Sequence, residues 1–125
     1  NNMEIVQGIT EAAKECKSPV ILQVSAGARK YAKHEYLVRL VEAALADTDL
    51  PIALHLDHGS YEGCFKAIKA GFSSVMFDGS HLPFNENLSK STIISKYCSK
   101  KKISLELEIG TIGGMEDNIK STGEL

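Results

Sequence analysis

The feature that most constrains this chain is a regular alternation between two hydrophobic periods. Segments with apolar residues at helical spacing alternate with short apolar runs that are typical of buried strands. The strand-like runs are "VILQVS" (20–25), the first half of "PIALHLDHG" (51–59), "SSVMFDGS" (73–80) and "ISLELEIG" (103–110). Such alternation favours parallel strands joined by helical crossovers. The sequence therefore predicts an α/β fold, either a doubly wound sheet or a (β/α) barrel.

The intervening segments carry helix signals. Asn2 is a good N-cap for a first helix that Ser18 and Pro19 end, and Gly71 is a C-cap for the third. The remaining helices are predicted over "HEYLVRLVEAALADT" (34–48), "YEGCFKAIKAG" (61–71) and "NENLSKSTIISKYCSKK" (85–101). "SAGARK" (25–30) is interpreted as a loop whose basic residues either contact an anion or are simply solvated. Because no linker interrupts the pattern, residues 1–125 are predicted to form a single domain.

Composition excludes several classes of function. The chain has 16 acidic and 14 basic residues, and its net charge of −2 argues against binding to a nucleic-acid backbone. No apolar run approaches the roughly 20 residues of a membrane span, and the start does not resemble a signal peptide. Three cysteines without CxxC spacing favour reduced, buried thiols over a disulfide. We therefore expect a cytoplasmic protein.

Polar side chains interrupt the predicted strands near their carboxyl ends. Asp57 and His58 end the second strand, Asp78 ends the third, and Glu106 and Glu108 share one face of the fourth. Because active sites of parallel α/β folds gather at that end, these residues are expected to lie close together. A metal site made of His58, Asp78 and Glu108 is the favoured interpretation.

Less specific interpretations of the same residues remain open. His58 and the neighbouring Asp57 could form a structural hydrogen-bonded pair, and the fourth strand could be an edge strand with solvated glutamates. His55 is expected to pack or to form a local hydrogen bond. None of the predicted strand ends carries a Lys, which argues against Schiff-base chemistry within this segment.

Four ordered blocks resemble class II (metal-dependent) fructose-bisphosphate aldolases. They are "SPVILQVSAGARKY" (18–31), "PIALHLDHG" (51–59), "AGFSSVMFDGSHLPFNEN" (70–87) and "SLELEIGTIGGMED" (104–117). The resemblance covers essentially the whole chain and implies part of a (β/α)₈ TIM barrel. It places this chain at roughly strands two to five, with the first strand and the C-terminal half of the barrel absent from residues 1–125.

The resemblance also implies an activity. The expected enzyme is a zinc-dependent lyase that reversibly cleaves fructose 1,6-bisphosphate to dihydroxyacetone phosphate and glyceraldehyde 3-phosphate in glycolysis and gluconeogenesis. A homo-oligomer is expected, and a second divalent or a monovalent cation could accompany the zinc. The alternatives are a tagatose-bisphosphate aldolase of the same superfamily and, for a complete 125-residue chain, a non-catalytic metal-binding module.

Residue roles follow from matching the motifs of the resembling family. Asp57 is expected to handle the proton of the substrate C4 hydroxyl, and His58 to bind the catalytic zinc. Asp78 and Glu108 are expected to line an alternative or second cation position. On the same grounds, Glu116 is expected to assist proton transfer from a mobile loop, and Ser25 is expected to contact substrate. The resemblance also implies two further His ligands and several phosphate-binding residues from later strands, which residues 1–125 do not supply.

Overall fold

The computed structural model describes residues 2–111, 114–116 and 119–121, with side chains described from 2 to 111. Helices and strands alternate through most of the described residues, apart from two consecutive helices after the first strand and three consecutive strands at the end of the order. The elements are α1 (Met3–Cys16), β1 (Val20–Val24), α2 (Ala26–Ala32), α3 (His34–Ala46), β2 (Ile52–Gly59), α4 (Tyr61–Ala70), β3 (Ser74–Phe77), α5 (Phe84–Lys101), β4 (Ser104–Leu107), β5 (Gly114–Glu116) and β6 (Ile119–Ser121).

Strands β1 to β4 form one sheet in sequence order, and every neighbouring pair is parallel. Strands β5 and β6 form a separate antiparallel pair. Each crossover between neighbouring strands of the main sheet contains at least one helix, as parallel connections require. The predicted α/β class is therefore confirmed. Because the four strands are parallel, their carboxyl ends all lie at the same end of the sheet.

The predicted helix ends are confirmed where local chemistry sets them. The Asn2 side chain accepts a hydrogen bond of 3.0 Å from the backbone N–H of Ile5 and so caps α1. Gly71 ends α4 in the left-handed region at φ 105°, which glycine adopts without the penalty of a Cβ atom. Capping depends on residues within one turn, which is why the sequence alone locates it.

Two other predictions of local structure need correction. The stretch predicted as a loop after the first strand contains the helix α2, because the Ser25 hydroxyl accepts the Ala28 N–H at 3.2 Å and caps it. The fourth strand, predicted to reach residue 110, ends at Leu107, so Glu108 follows the strand instead of lying within it. The pairing of β5 with β6 was not predicted.

The main sheet has an apolar face beneath the helices and a polar opposite face. Leu56 of β2 and Val75 of β3 are fully buried against Ile94 of α5 and its neighbours in the core. On the other face of the same two strands, His55 stands opposite Ser74. The polar face leads towards the strand ends at which the sequence predicted a site.

Among the described strands, β1 and β4 occupy the two edges of the main sheet and carry exposed apolar side chains. Ile21 of β1 is 63% exposed and Leu107 of β4 is 43% exposed. Open parallel edges are uncommon in complete folds, which cover or pair them. Over the described part of the chain, no helix is both long and apolar enough to cross a membrane.

The three cysteines are free thiols in different environments. Cys64 and Cys98 are buried as expected, but Cys16 is exposed at the end of α1, so the expectation of a buried thiol was wrong there. Burial raises the pKa of the Cys64 thiol to about 12, and it also raises the pKa of Cys98.

These environments predict selective alkylation. Because the thiolate is the nucleophile, a raised pKa keeps Cys64 and Cys98 protonated at pH 8, and burial denies the reagent access. Iodoacetamide should modify Cys16 in the native full-length protein, whereas Cys64 and Cys98 should react only in denaturant. Peptide mapping by mass spectrometry measures this, and rapid native modification of Cys64 would contradict the described packing.

Candidate metal centre

His58, Asp78 and Glu108 meet at the carboxyl ends of three neighbouring strands. One potential ligand atom from each residue lies within 4.8 Å of those of the other two, and all three residues are partly buried. His58 belongs to β2, Asp78 directly follows β3, and Glu108 directly follows β4. The predicted convergence of these three residues therefore occurs in the structure.

The pairing of β2 is irregular at its carboxyl end, where His58 lies. The register between β2 and β3 shifts between Leu56 and Gly59, and His58 has φ 44° in the left-handed region. A Cβ atom on Gly59 would lie 2.8 Å from the carbonyl oxygen of Met76, so a larger residue would not fit there. Register shifts of this kind re-aim side chains at strand ends, and here the shift accompanies the approach of His58 to the next strand.

Hydrogen bonds hold Asp78 through both of its carboxylate oxygens. His58 Nδ1 lies 2.8 Å from Asp78 Oδ2 and 3.7 Å from Glu108 Oε2. The other oxygen, Asp78 Oδ1, accepts the backbone N–H of Ser80 at 3.0 Å and the Ser80 hydroxyl at 2.6 Å. Fixed from two sides, this carboxylate has little freedom to rotate.

The environment of Asp78 favours its ionised form. Burial, the largest single influence, acts to raise its pKa, but the hydrogen bonds from Ser80 and His58 together outweigh burial and hold the pKa below its usual value. Asp78 is therefore an anionic acceptor at neutral pH, which is the form that binds a cation.

Glu108 is enclosed, whereas Glu106 is not. The side chain of Glu108 is 13% exposed, and that of Glu106, two residues earlier and within β4, is 61% exposed. Asn87 of α5 donates a hydrogen bond of 2.8 Å from Nδ2 to the backbone carbonyl of Glu108. Within the described residues, Glu106 is therefore mostly exposed, while Glu108 reaches the cluster.

Asn87 was not singled out from the sequence, although a signal was present. It is spaced at helical intervals from Ser91, Ile94 and Cys98, and these four residues form the buried face of α5. An amide on a buried helix face requires a hydrogen-bond partner. The sequence did not reveal that this partner is the segment that carries Glu108.

The other predicted residues occupy different positions. Asp57 is partly buried in β2 beside His58. Ser25 caps α2 immediately after β1, at the same edge of the sheet as the cluster. Glu116 lies in β5, where its backbone is paired with Ile119, and its side chain is outside the described residues. His55 is packed, as expected, at 6% exposure, and its Nδ1 lies 2.7 Å from the Ser74 hydroxyl on the neighbouring strand β3.

The donor set fits a divalent metal ion. One imidazole and two carboxylates suit zinc and other divalent first-row metals. Two partly buried carboxyl groups 3.7 Å or less from one imidazole also create a demand for positive charge, which a cation would meet.

Comparison with known proteins places the chain in a family. The family model "Fructose-bisphosphate aldolase class-II" matches residues 1–125. The chain belongs to this family. It is 51% identical to a fructose-bisphosphate aldolase of Mycoplasma pneumoniae over 129 aligned residues, which span 100% of this chain and 44% of that protein. It is 49% identical to the fructose-bisphosphate aldolase of Giardia intestinalis over 127 residues, 100% of this chain and 39% of that protein.

Solved structures agree with this assignment. A putative fructose-1,6-biphosphate aldolase from Coccidioides immitis superposes with a TM-score of 0.82 at 35% identity, over 97% of this chain and 43% of that one. The YdjI aldolase from Escherichia coli K12 gives 0.79 at 29% identity, over 88% and 43%. The chain thus spans less than half the length of these relatives, and its fold corresponds to part of an aldolase TIM barrel. Class II aldolases are metal-dependent, in keeping with the cluster.

Glu106 lies within β4 and Glu108 directly follows it, and their different burial allows a test of the metal centre. In the full-length protein, Glu108→Gln should weaken Zn²⁺ or Co²⁺ binding about 10-fold or more, because it removes an anionic donor from the cluster. Glu106→Gln makes the same chemical change two residues earlier, at a mostly exposed position, and should leave affinity within about 2-fold. Isothermal titration calorimetry measures both, and equal losses in the two variants would argue against Glu108 as a ligand.

Proposed function

We propose that the protein containing this chain is a zinc-dependent lyase of glycolysis and gluconeogenesis. It would reversibly cleave fructose 1,6-bisphosphate to dihydroxyacetone phosphate and glyceraldehyde 3-phosphate. The observation that carries the proposal is the convergence of His58, Asp78 and Glu108 within 4.8 Å at three neighbouring strand ends. The names of the aldolase relatives support the substrate.

His58 is the residue that would hold the catalytic zinc, and Asp78 and Glu108 would line an alternative or second cation position. The second ion would be another divalent or a monovalent cation. When bound, zinc supplies Lewis-acid polarisation of a carbonyl oxygen. The hydrogen bond between His58 and Asp78 would orient the imidazole and fix its tautomer, as partners of ligating histidines commonly do.

Asp57 would perform the proton transfer that accompanies cleavage of the C3–C4 bond. Its carboxylate would take the proton of the C4 hydroxyl as the bond breaks and return it during condensation. Its place in β2 beside His58 supports this role, because base and metal ligand then share one rigid strand end. Glu116 would assist proton transfer at the dihydroxyacetone carbon, and Ser25 would contact substrate at the same sheet edge.

Residues 1–125 would form one part of a single barrel domain. The exposed apolar side chains Ile21 and Leu107 on the two outer strands support this view, because further strands would cover them. The complete enzyme would be a cytoplasmic homo-oligomer that acts on sugar bisphosphates and triose phosphates.

A chelator assay tests the metal dependence. Fructose 1,6-bisphosphate cleavage by the full-length protein should be lost after dialysis against a zinc chelator and restored by added Zn²⁺. Retention of full activity without metal would exclude the zinc mechanism. Assaying tagatose 1,6-bisphosphate in parallel decides between the two sugars, and cleavage of neither would indicate a metal-binding module without this activity.

Substitution of the two adjacent β2 residues separates proton transfer from metal binding. Asp57→Ala should lower kcat about 10²- to 10⁴-fold while zinc content is retained, because a general base is removed. His58→Ala should lose both activity and zinc. The matched control is Asp49→Ala, an exposed aspartate just before the amino end of β2. Zinc content by atomic absorption and kcat from steady-state assays give the two readouts, and loss of zinc in Asp57→Ala would contradict the division of roles.

A further inference from the structure

Asn87 lies in the first turn of α5. Unlike the three cluster residues, it does not lie at the end of a strand. It is 6% exposed, and its side-chain amide uses both ends in hydrogen bonds. Buried amides of this kind are costly to leave unpaired, so the partners of Asn87 are informative.

The first partner is the segment that bears Glu108. The Nδ2 group of Asn87 donates to the Glu108 carbonyl oxygen at 2.8 Å. Glu108 has passed the end of β4, where ladder pairing with β3 stops at Leu107. Strand pairing therefore does not hold the backbone at Glu108, and the hydrogen bond from Asn87 of α5 holds it instead.

The second partner fixes which way the amide points. The hydroxyl of Ser91, one helical turn later, donates to Asn87 Oδ1 at 3.0 Å. With its oxygen occupied by Ser91, the amide presents its N–H group to Glu108. The hydrogen bond from Ser91 therefore fixes the orientation of the amide, so that its N–H group faces the Glu108 carbonyl.

Asn87 also packs against the loop that holds Asp78. A Cβ atom on Gly79 would lie 2.7 Å from the Asn87 side-chain Cγ atom, so the amide fills the space that a larger residue would need. Gly79 stands between Asp78 and Ser80, whose hydroxyl and N–H bind Asp78. One side chain thus touches the segments that carry two of the three cluster residues.

We propose that Asn87 is a positioning residue for the metal centre, which sets the separation of Glu108 and Asp78. The inference rests on the proposed function of the cluster as a metal site. The inference requires that metal affinity depend on Asn87, although Asn87 is not itself a ligand. Residues that hydrogen-bond to metal ligands commonly affect affinity in this way.

Two substitutions of Asn87 test the inference in the full-length protein. Asn87→Asp keeps the size of the side chain and an acceptor for Ser91, but it cannot donate to the Glu108 carbonyl when ionised. Asn87→Ala removes both bonds. Both should weaken Zn²⁺ or Co²⁺ binding by about 10- to 100-fold and shift the visible absorption of bound Co²⁺.

A matched control separates positioning from general loss of stability. Ile94→Val trims a fully buried apolar side chain on the same face of α5, seven residues after Asn87, and Ile94 forms none of the hydrogen bonds described for Asn87. It should lower the melting temperature of the metal-free protein, as deletions of core methyl groups do, yet leave metal affinity within about 2-fold.

The outcomes are distinct. Weakened metal binding in Asn87→Asp, with normal binding in Ile94→Val, supports the positioning role. Unchanged affinity in both Asn87 variants overturns it, and so does an equal loss in Ile94→Val. If the unsubstituted protein itself binds no divalent metal, both this inference and the proposed function fail. The other outcomes bear on this inference alone.

Discussion

Parallel pairing of β2, β3 and β4 is the constraint on which the candidate site depends. In a parallel sheet the carboxyl ends of successive strands face the same way, so residues far apart in sequence meet at one edge. His58, Asp78 and Glu108 are separated by 20 and 30 residues, yet each follows or ends a neighbouring strand. The helices α4 and α5 make this possible, because each returns the chain to the amino end of the sheet before the next strand begins.

The two faces of the main sheet carry different kinds of side chain. Its apolar face is covered by helices through residues such as Leu56, Val75 and Ile94, which are fully buried. Its opposite face carries His55 and Ser74 and leads to the cluster at the strand ends. Because alternate residues along a strand serve the two faces, polar groups can be collected on one face without interrupting the core on the other.

Much of this organisation was predictable because it depends on short-range patterns. The caps at Asn2 and Gly71, the alternation of helices and strands, and the acidic strand ends are all visible in the sequence. What could not be predicted depends on contacts between distant segments. His58 is in the left-handed region, and the adjacent Gly59 lies so close to the Met76 carbonyl, 17 residues away, that a Cβ atom would be 2.8 Å from it. Helix α2 was missed because Ser25, weighed as a site residue, is also its cap.

The two glutamates at the end of the described sheet show why residue type alone does not define a site. Glu106 and Glu108 are chemically identical, lie two residues apart and were predicted to share one strand face. Glu106 lies within an edge strand and is mostly solvated, although its Oε2 is 3.5 Å from His55 Nε2. Glu108 lies one residue beyond the strand, where α5 and the neighbouring strand ends enclose it. Because a buried carboxylate requires a partner and an exposed one does not, the different burial of the two glutamates distinguishes the one in the cluster from the one outside it.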